Sequence, residues 1–506
     1  MALIDKPDCT SVTMLTDLHR RDVLRRLGAL GITGAIGQLY SGSLFARSGE
    51  AVKGLDRLVG GEVVNRAHDR YEAWRNSMVW HLRKPERYPD AIIRAQSEQD
   101  VIAAVKYATD NGLKVSARSS GHNSTGAALR NGGLLIDLAL LRGVEIDAAR
   151  KTARIQPALW SEQLVQEAGK HGLAFPAAHC PTVALGGYLL GGGMGWNNAH
   201  WDGIACHAIR SADIVLAGGR KVTASADAYP DLFWAVRGAG YGFFGVVTAM
   251  ELQLYPLPRA IHTSMYITPL DKLHTVFAAL DELSEEKDER VEILVLLMHD
   301  PQASADTPPD QAKICMVGVN AFADTEDEAR AMLAPFANSA LAAASVFKLE
   351  YQPSSFEQLY NPEGLDTGIG RYMVDSIWTE EPGQSLLSLA EHFKTTQSAR
   401  THVLCAYGVK TELRTDACFS RIANHYIASY MLWNDAADDA ANETWLRHTN
   451  ALLQPYSKGT YINEIEATLF PERVKSSFSE ESWQRLAALR KKYDPDGVFH
   501  SYPGYS

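Results

Sequence analysis

The sequence predicts an α+β fold: an α/β unit, then a unit with an antiparallel sheet. Three observations point there. Short strands alternate with helices from about Leu55 to Pro258. After Pro256-Leu257-Pro258 the character changes to apolar strand candidates separated by longer helices. No GxGxxG opens a helix directly after a strand with an acid about twenty residues on, which argues against a dinucleotide fold. At 506 residues the chain is also too long for one core.

Ala91-Ile92-Ile93-Arg94 reads as a strand. Ser97 caps the following helix with Asp100 as return partner, and Val101, Ile102, Val105 and Ala108 form its apolar stripe until Gly112 ends it. Leu113 to Ala117 is the next strand and Leu134 to Leu138 another; a second helix runs from about Ser161 to Lys170 and stops at Gly172. Beyond Pro258, Val291 to Met298 and Lys313 to Val319 are strand candidates joined by a polar, Pro-containing loop. A helix over Asp324 to Phe336 follows, then strands near Arg371 to Val374 and Tyr426 to Trp433. An amphipathic helix bearing Trp483, Leu486 and Leu489 leads to the C-terminus. These shifts divide the chain into residues 1–50, 51–258, 259–465 and 466–506.

Hydrophobic residues make up 46% and charged residues 22%, the balance of an ordinary soluble globular protein. A net charge of −11, with no Lys/Arg stripe among aromatics, argues against a nucleic-acid partner or an anionic membrane surface. Six cysteines (9, 180, 206, 315, 405 and 418) lie far apart, without CxxC or zinc spacing, so neither a disulfide framework nor a metal site is expected. Near the N-terminus, Arg20-Arg21 precede a mildly apolar stretch from Leu27 to about Ala46 that is broken by glycines. It is a poor membrane span, so stable insertion is not expected. Twin arginines before such a run look like a twin-arginine export signal, although His19 and Val23 replace the usual Ser or Thr and Phe. The expected location is periplasmic or extracellular by that route, and otherwise cytoplasmic.

Two segments carry the chemistry. Val115 to Arg118 runs into the small-residue loop Ser119-Ser120-Gly121-His122-Asn123-Ser124, which presents one imidazole. Later, Cys180-Pro181-Thr182-Val183-Ala184-Leu185-Gly186-Gly187 is followed by Gly191-Gly192-Gly193-Met194-Gly195-Trp196. With Phe244-Gly245-Val246-Val247 and the ending Tyr493-Asp494-Pro495, these resemble the berberine-bridge-enzyme-like oxidases, in the wider family related to vanillyl-alcohol oxidase. The resemblance is close over residues 85 to 258 and looser elsewhere. It implies a PCMH-type FAD-binding domain of two α/β subdomains at 51–258, a substrate-binding domain with an antiparallel sheet covered by helices at 259–465, and a C-terminal segment, 466–506, packing back on the FAD domain. It also implies FAD attached twice, through His122 to the flavin C8 methyl and Cys180 to C6.

A loop of Arg118, Ser119, Ser120, Gly121, Asn123 and Ser124 suits the diphosphate, because small residues let backbone N–H groups reach anionic oxygens. Arg118 and the serines could add charge-assisted bonds. Thr182, Val183, Gly186, Gly187, Tyr188, Val246 and Asn463 complete the expected cofactor contacts. Val183 stands where relatives that react with dioxygen have valine, implying an oxidase releasing hydrogen peroxide. Tyr188 replaces a histidine that in many relatives faces the flavin N1–C2 edge, and its phenol can donate to the C2 carbonyl. Tyr241 and Phe243 depart from the usual glycine and asparagine. The family's Tyr-x-Asn-Tyr segment corresponds to Tyr461-Ile462-Asn463-Glu464, which makes Glu464 the expected catalytic base. Read as a strand, this stretch puts Glu464 opposite Tyr461 and Asn463, and a shift of register makes Tyr461 the base. The expected reaction is hydride transfer from a sugar, alkaloid or phenolic substrate to flavin N5, with O2 as acceptor. The alternatives are a dehydrogenase with another acceptor and a flavin-binding protein without catalysis.

Overall fold

The computed structural model describes residues 52–304, 306–308, 311–360, 368–409 and 411–505. The twin-arginine segment lies outside the described residues. The strands are β1 (Glu62–Asn65), β2 (Ala91–Arg94), β3 (Val115–Arg118), β4 (Leu134–Asp137), β5 (Val144–Asp147), β6 (Thr152–Ile155), β7 (Leu173–Ala174), β8 (Ile209–Leu216), β9 (Arg220–Ser225), β10 (Val246–Gln253) and β11 (Tyr255–Pro256) in the first half. The second half holds β12 (Ala260–Pro269), β13 (Val291–His299), β14 (Lys313–Ala323), β15 (Phe347–Ser354), β16 (Arg371–Thr379), β17 (His402–Tyr407) and β18 (His425–Trp433).

Two larger sheets and the short antiparallel pair β7-β11 build the first half. In the order β1-β2-β4-β3, β2 and β3 each run parallel to β4 and β1 is antiparallel. The second, β5-β6-β10-β8-β9, is antiparallel throughout. The helix Glu98–Asp110 begins as expected, Ser97 accepting from the Asp100 N–H at 3.3 Å. Its return partner differs from expectation. The Asp100 carboxylate accepts from Gly60 at 2.7 Å and Gln96 at 2.8 Å, so it ties the β1 approach to the helix rather than closing a capping box on Ser97. Ile93, Val101, Val105, Leu134 and Ile136 pack around it, fully or almost fully buried, each stabilising by roughly 1.5–3 kcal/mol.

The second half is one seven-stranded sheet, β15-β12-β14-β13-β17-β18-β16, antiparallel at every pairing. One face carries Val295, Val317, Cys405 and Ile427 against Leu280, Leu333, Leu389 and Leu453 of four covering helices. The opposite face, with Val374, Trp378, Tyr426 and Ala428, joins the core of the first half. The C-terminal segment returns to that half. Val115 donates to Val498 at 2.7 Å, His500 donates to Val115 at 3.0 Å, and Asp494 takes the Val498 and Phe499 N–H groups. No helix among the described residues is long and apolar enough to cross a membrane.

His425, at the start of β18, shows how the core meets acid. Its Nδ1 accepts the Gly408 N–H at 3.1 Å, and burial, with Lys287 nearby, holds the imidazole down at about 4. The unfolded chain takes up that proton near 6.5, so this contribution to stability is complete above about 6.5 and lost as pH falls toward 4. The buried carboxyls Asp375, Glu466 and Asp494, pushed upward by burial, act in the opposite sense. A single substitution isolates the histidine. His425→Asn keeps an acceptor for Gly408 but cannot titrate, so its melting temperature should fall less than that of wild type between about pH 7 and pH 4.5. Equal falls would rule this out.

Candidate active site

β3 delivers the His122 loop. Gly121 has φ +77, and a Cβ there would lie 2.3 Å from the Met78 carbonyl oxygen, so only glycine lets the chain turn this close. The Trp80 ring stacks on His122 at 5.5 Å and 23°, and the indole N–H donates to the His122 carbonyl at 3.2 Å. Burial, reinforced by the Arg118 charge, holds the imidazole down at about 4, so it is neutral near pH 7.

Cys180 opens a turn in which Val183 N–H donates to the Cys180 carbonyl at 3.3 Å. Ser161 donates to the Val183 carbonyl through its N–H at 2.9 Å and its hydroxyl at 3.0 Å, and the Ser120 hydroxyl accepts from Ala184 N–H at 3.1 Å. The two motif loops are thereby joined. Between them stands Thr182, its hydroxyl 2.9 Å from His122 Nε2 and 3.8 Å from the exposed Cys180 Sγ. Among the described residues the other cysteines, 206, 315, 405 and 418, are buried and unpaired.

Several expected cofactor contacts are committed elsewhere. Arg118 is bound to Asp137 at 2.8 Å and to the Met78, Ser77 and Ser120 carbonyls, so its guanidinium braces the loop instead of reaching a phosphate. Asn123 Oδ1 accepts from Ala127 N–H and the Thr125 hydroxyl and so holds its own turn. The Tyr188 phenol donates to the Pro176 carbonyl at 2.7 Å, which spends the proton expected for the flavin C2 carbonyl. Val246 is a core side chain at the start of β10. Gly186 is pressed on Pro157 and Ser119, where a Cβ would come within 2.8 Å, whereas a Cβ at Gly187 would meet nothing within 4 Å.

Other groups have room for a ligand. Ser124 Oγ, Arg130 Nε and Tyr241 Oη are buried without a partner. Burial pulls the Arg87 guanidinium down to about 10, with Arg130 acting in the same sense, and lowers Arg130 as well. Buried cations under this strain are suited to an anion. Sequence reasoning missed Arg87, Arg130 and this use of Tyr241, since no local pattern distinguishes them.

The expected strand at the base is a turn. Glu464 N–H donates to the Tyr461 carbonyl at 2.8 Å, and the alternation argument lapses. Tyr461 is buried among Trp378, Phe419 and Tyr426, its hydroxyl accepting from Gly193 N–H and Asn463 Nδ2, both at 3.0 Å. Asn463 Nδ2 also donates to the Tyr188 carbonyl at 3.1 Å. Glu464 turns to the tyrosines of β18. Its Oε2 accepts from the Tyr426 and Tyr430 hydroxyls, the latter at 2.8 Å, and burial raises its carboxyl against the pull of those two donors. Tyr372, Tyr430 and His402 extend the wall, with centroids 6.4 Å apart for Tyr372–Tyr430 and 5.1 Å for His402–Tyr430. The sequence signal for the two tyrosine donors was present, since Tyr426, Ala428 and Tyr430 fall on one face of a strand.

Comparison with known proteins agrees with this architecture. A family model described as an FAD binding domain matches residues 89–225. The FAD-linked oxidoreductase nodO of Hypoxylon pulicicidum is 28% identical over 422 residues, covering 82% of this chain and 91% of that protein. The (R)-6-hydroxynicotine oxidase of Paenarthrobacter nicotinovorans is 44% identical over 199 residues, 39% of this chain and 42% of the other. The crystal structure of 6-hydroxy-D-nicotine oxidase from Arthrobacter nicotinovorans superposes with a TM-score of 0.77 at 27% identity, covering 90% of this chain and 99% of that one. Berberine bridge enzyme from Eschscholzia californica gives 0.74 at 18% identity, covering 90% and 98%, a likeness of fold.

The glycine run and the Tyr461–Glu464 turn meet at one checkable point. A Cβ on Gly191 would lie 2.0 Å from Asn463 Oδ1, and two hydrogen bonds hold that side chain in place. Gly191→Ala should therefore destabilise by about 1–3 kcal/mol, the range for overpacking. Combined with Asn463→Ala, most of that clash should vanish; additive losses in urea melts would show that the two do not touch.

Proposed function

Taking as premise that the chain is an FAD-dependent oxidoreductase with the berberine-bridge-enzyme-like, PCMH-type fold, we propose that it is an oxidase whose FAD is held by two covalent bonds, from His122 and Cys180. The observation that carries this is the shared threonine: two nucleophilic side chains from separate loops meet at one hydroxyl. An Nε2–H donating to Thr182 leaves the lone pair on Nδ1, and the neutral imidazole is the nucleophilic form. The donor set also fits the cofactor. Ser124 Oγ, Arg130 Nε and the Tyr241 hydroxyl are buried with unused capacity toward an anion, Arg87 stands near Arg130 with its guanidinium desolvated, and the side of Gly187 is open.

When bound, FAD would supply the two-electron oxidation of the substrate, with dioxygen as the final acceptor and hydrogen peroxide as its product. Everything else falls to the protein. Glu464 takes the proton from the substrate's O–H or N–H. Its carboxyl is raised by burial, which strengthens it as a base, and Tyr426 and Tyr430 fix its direction. Tyr461 is less suited, because its hydroxyl already accepts two N–H groups and burial pushes its phenol further up. The substrate is a small organic molecule with an alcohol- or amine-type C–H, seated against Tyr372, Tyr430 and His402. Val183, partly exposed beside Cys180 and pinned through its carbonyl by Ser161, supports dioxygen as acceptor.

Glu464→Gln should slow anaerobic flavin reduction by roughly 10²–10⁴-fold while leaving the flavin bound, as expected for loss of a general base. Reduction at the wild-type rate would remove Glu464 from the reaction. Thr182→Val should lower the fraction of protein that keeps its yellow colour after acid precipitation, and Thr182→Ser should restore it. An acid pellet that is colourless in wild type would end the covalent reading.

A further inference from the structure

Lys313 opens β14 on the sheet face that the helices cover, the side away from Glu464. Only 5% of it is exposed. Its Nζ meets a single partner among the described residues, the Thr396 carbonyl at 3.4 Å. Among those residues no charged group bears on it, and burial alone draws its ammonium below the ordinary lysine range. Comparably buried cations have a counter-charge: Arg75 pairs with Glu72, Arg237 with Asp416 and Arg473 with Asp375. Thr396 sits in the turn after the helix Pro382–Phe393, its N–H donating to the Phe393 carbonyl at 3.1 Å. A helix end offers about half a negative charge, spread over several carbonyls, and leaves the ammonium under-compensated.

Beside that turn lies a cavity of about 40 Å³, walled by Thr396, Gln397, Thr401, Met431, Asn442 and Trp445. Its walls come from the turn itself, the approach to β17, the strand β18 and the helix Asp439–Leu453. No carboxylate is among them. The hydroxyls of Thr396 and Thr401 are both buried without a partner. Thr396 thus belongs to both features: its carbonyl faces Lys313, and its hydroxyl is unused at the cavity wall. Two hydroxyl protons and an ammonium make a set of donors, and a ligand that only accepts suits them. A water needs about 10–15 Å³, so the space holds one small anion or two to three waters. Water would have to place its own hydrogens here and would bring no charge for the lysine.

We propose that this cavity is a binding site for a small monovalent inorganic anion of the halide class. The anion accepts from the Thr396 and Thr401 hydroxyls and supplies the counter-charge that Lys313 lacks. It ties the end of the helix Pro382–Phe393 to β14 on one side and to the helix Asp439–Leu453 on the other. The site stabilises the helical cover of the sheet and is independent of the oxidase reading.

Bromide and chloride test this without any turnover. Crystals of the flavin-loaded enzyme soaked in sodium bromide should show an anomalous bromine peak in the cavity, within hydrogen-bond reach of the Thr396 and Thr401 hydroxyls. In solution, the melting temperature is followed as sodium gluconate is replaced by sodium chloride at constant ionic strength. Wild type should rise by about 2 °C or more and then saturate, as a bound ligand requires. Lys313→Met and the near-isosteric Thr401→Val should each lose most of that rise. In gluconate, Lys313→Met should melt no lower than wild type, because it removes a buried charge that has no partner there. A cavity without bromine, equal melting of wild type in the two salts, or a full chloride response in both variants overturns the proposal.

Discussion

Three segments far apart in the chain close on one another because nothing larger than hydrogen stands where they come nearest. Gly121 lets the His122 loop lie on Met78, Gly186 lets the Cys180 turn lie on Pro157 and Ser119, and Gly191 lets Asn463 cross the glycine run. At 2–3 Å from backbone or anchored side chains, a methyl group at any of these points would have to move a neighbour. The hydrogen bonds that decorate these contacts, Ser120 to Ala184 and Asn463 to Tyr188, are individually modest, about 1 kcal/mol net. They fix direction once the glycines have allowed proximity.

Much of this was legible in the sequence, and the failures have physical causes. Ala91–Arg94 was found because it is an apolar run bounded by turn residues, and Ser97 because a serine before an apolar stripe has few other uses. β12, β15 and β17 were missed. In β17, Val403, Cys405 and Tyr407 face the helices while His402, Leu404 and Ala406 face the chamber, so both sides are covered and no polar alternation survives. The turn at Tyr461–Glu464 was read as a strand since its spacing alone is consistent with either. Only the meeting of Glu464 with Tyr426 and Tyr430, more than thirty residues away, shows which way it faces.

At the cofactor loop, two expected contacts are engaged within the loop for one reason. Arg118 and Asn123 have the chemistry to bind a phosphate, and both spend it on the loop that would present the phosphate with its ligands. A loop with few side chains to pack needs such braces, because its own backbone groups must stay free for a ligand and cannot also hold the turn. Arg130, which donates to the Ser501 carbonyl at 2.8 Å but keeps its Nε without a partner, and its neighbour Arg87 lie outside the motif.

Glu464, in its proposed role as base, shows how such a scaffold would set chemistry. Burial alone would drive its carboxyl far upward and leave it protonated and idle as a base. Two phenols donating to Oε2 draw it back, and both act on one oxygen, so the other keeps its lone pairs for a substrate proton. The phenols do not surrender their own protons, since burial beside the carboxylate raises both well above their ordinary value. An arginine in their place would stabilise the carboxylate too, but it would pin both oxygens and lower the carboxyl, weakening the base. Neutral donors on one oxygen thus leave a base that is both aimed and strong, which a charged partner could not do.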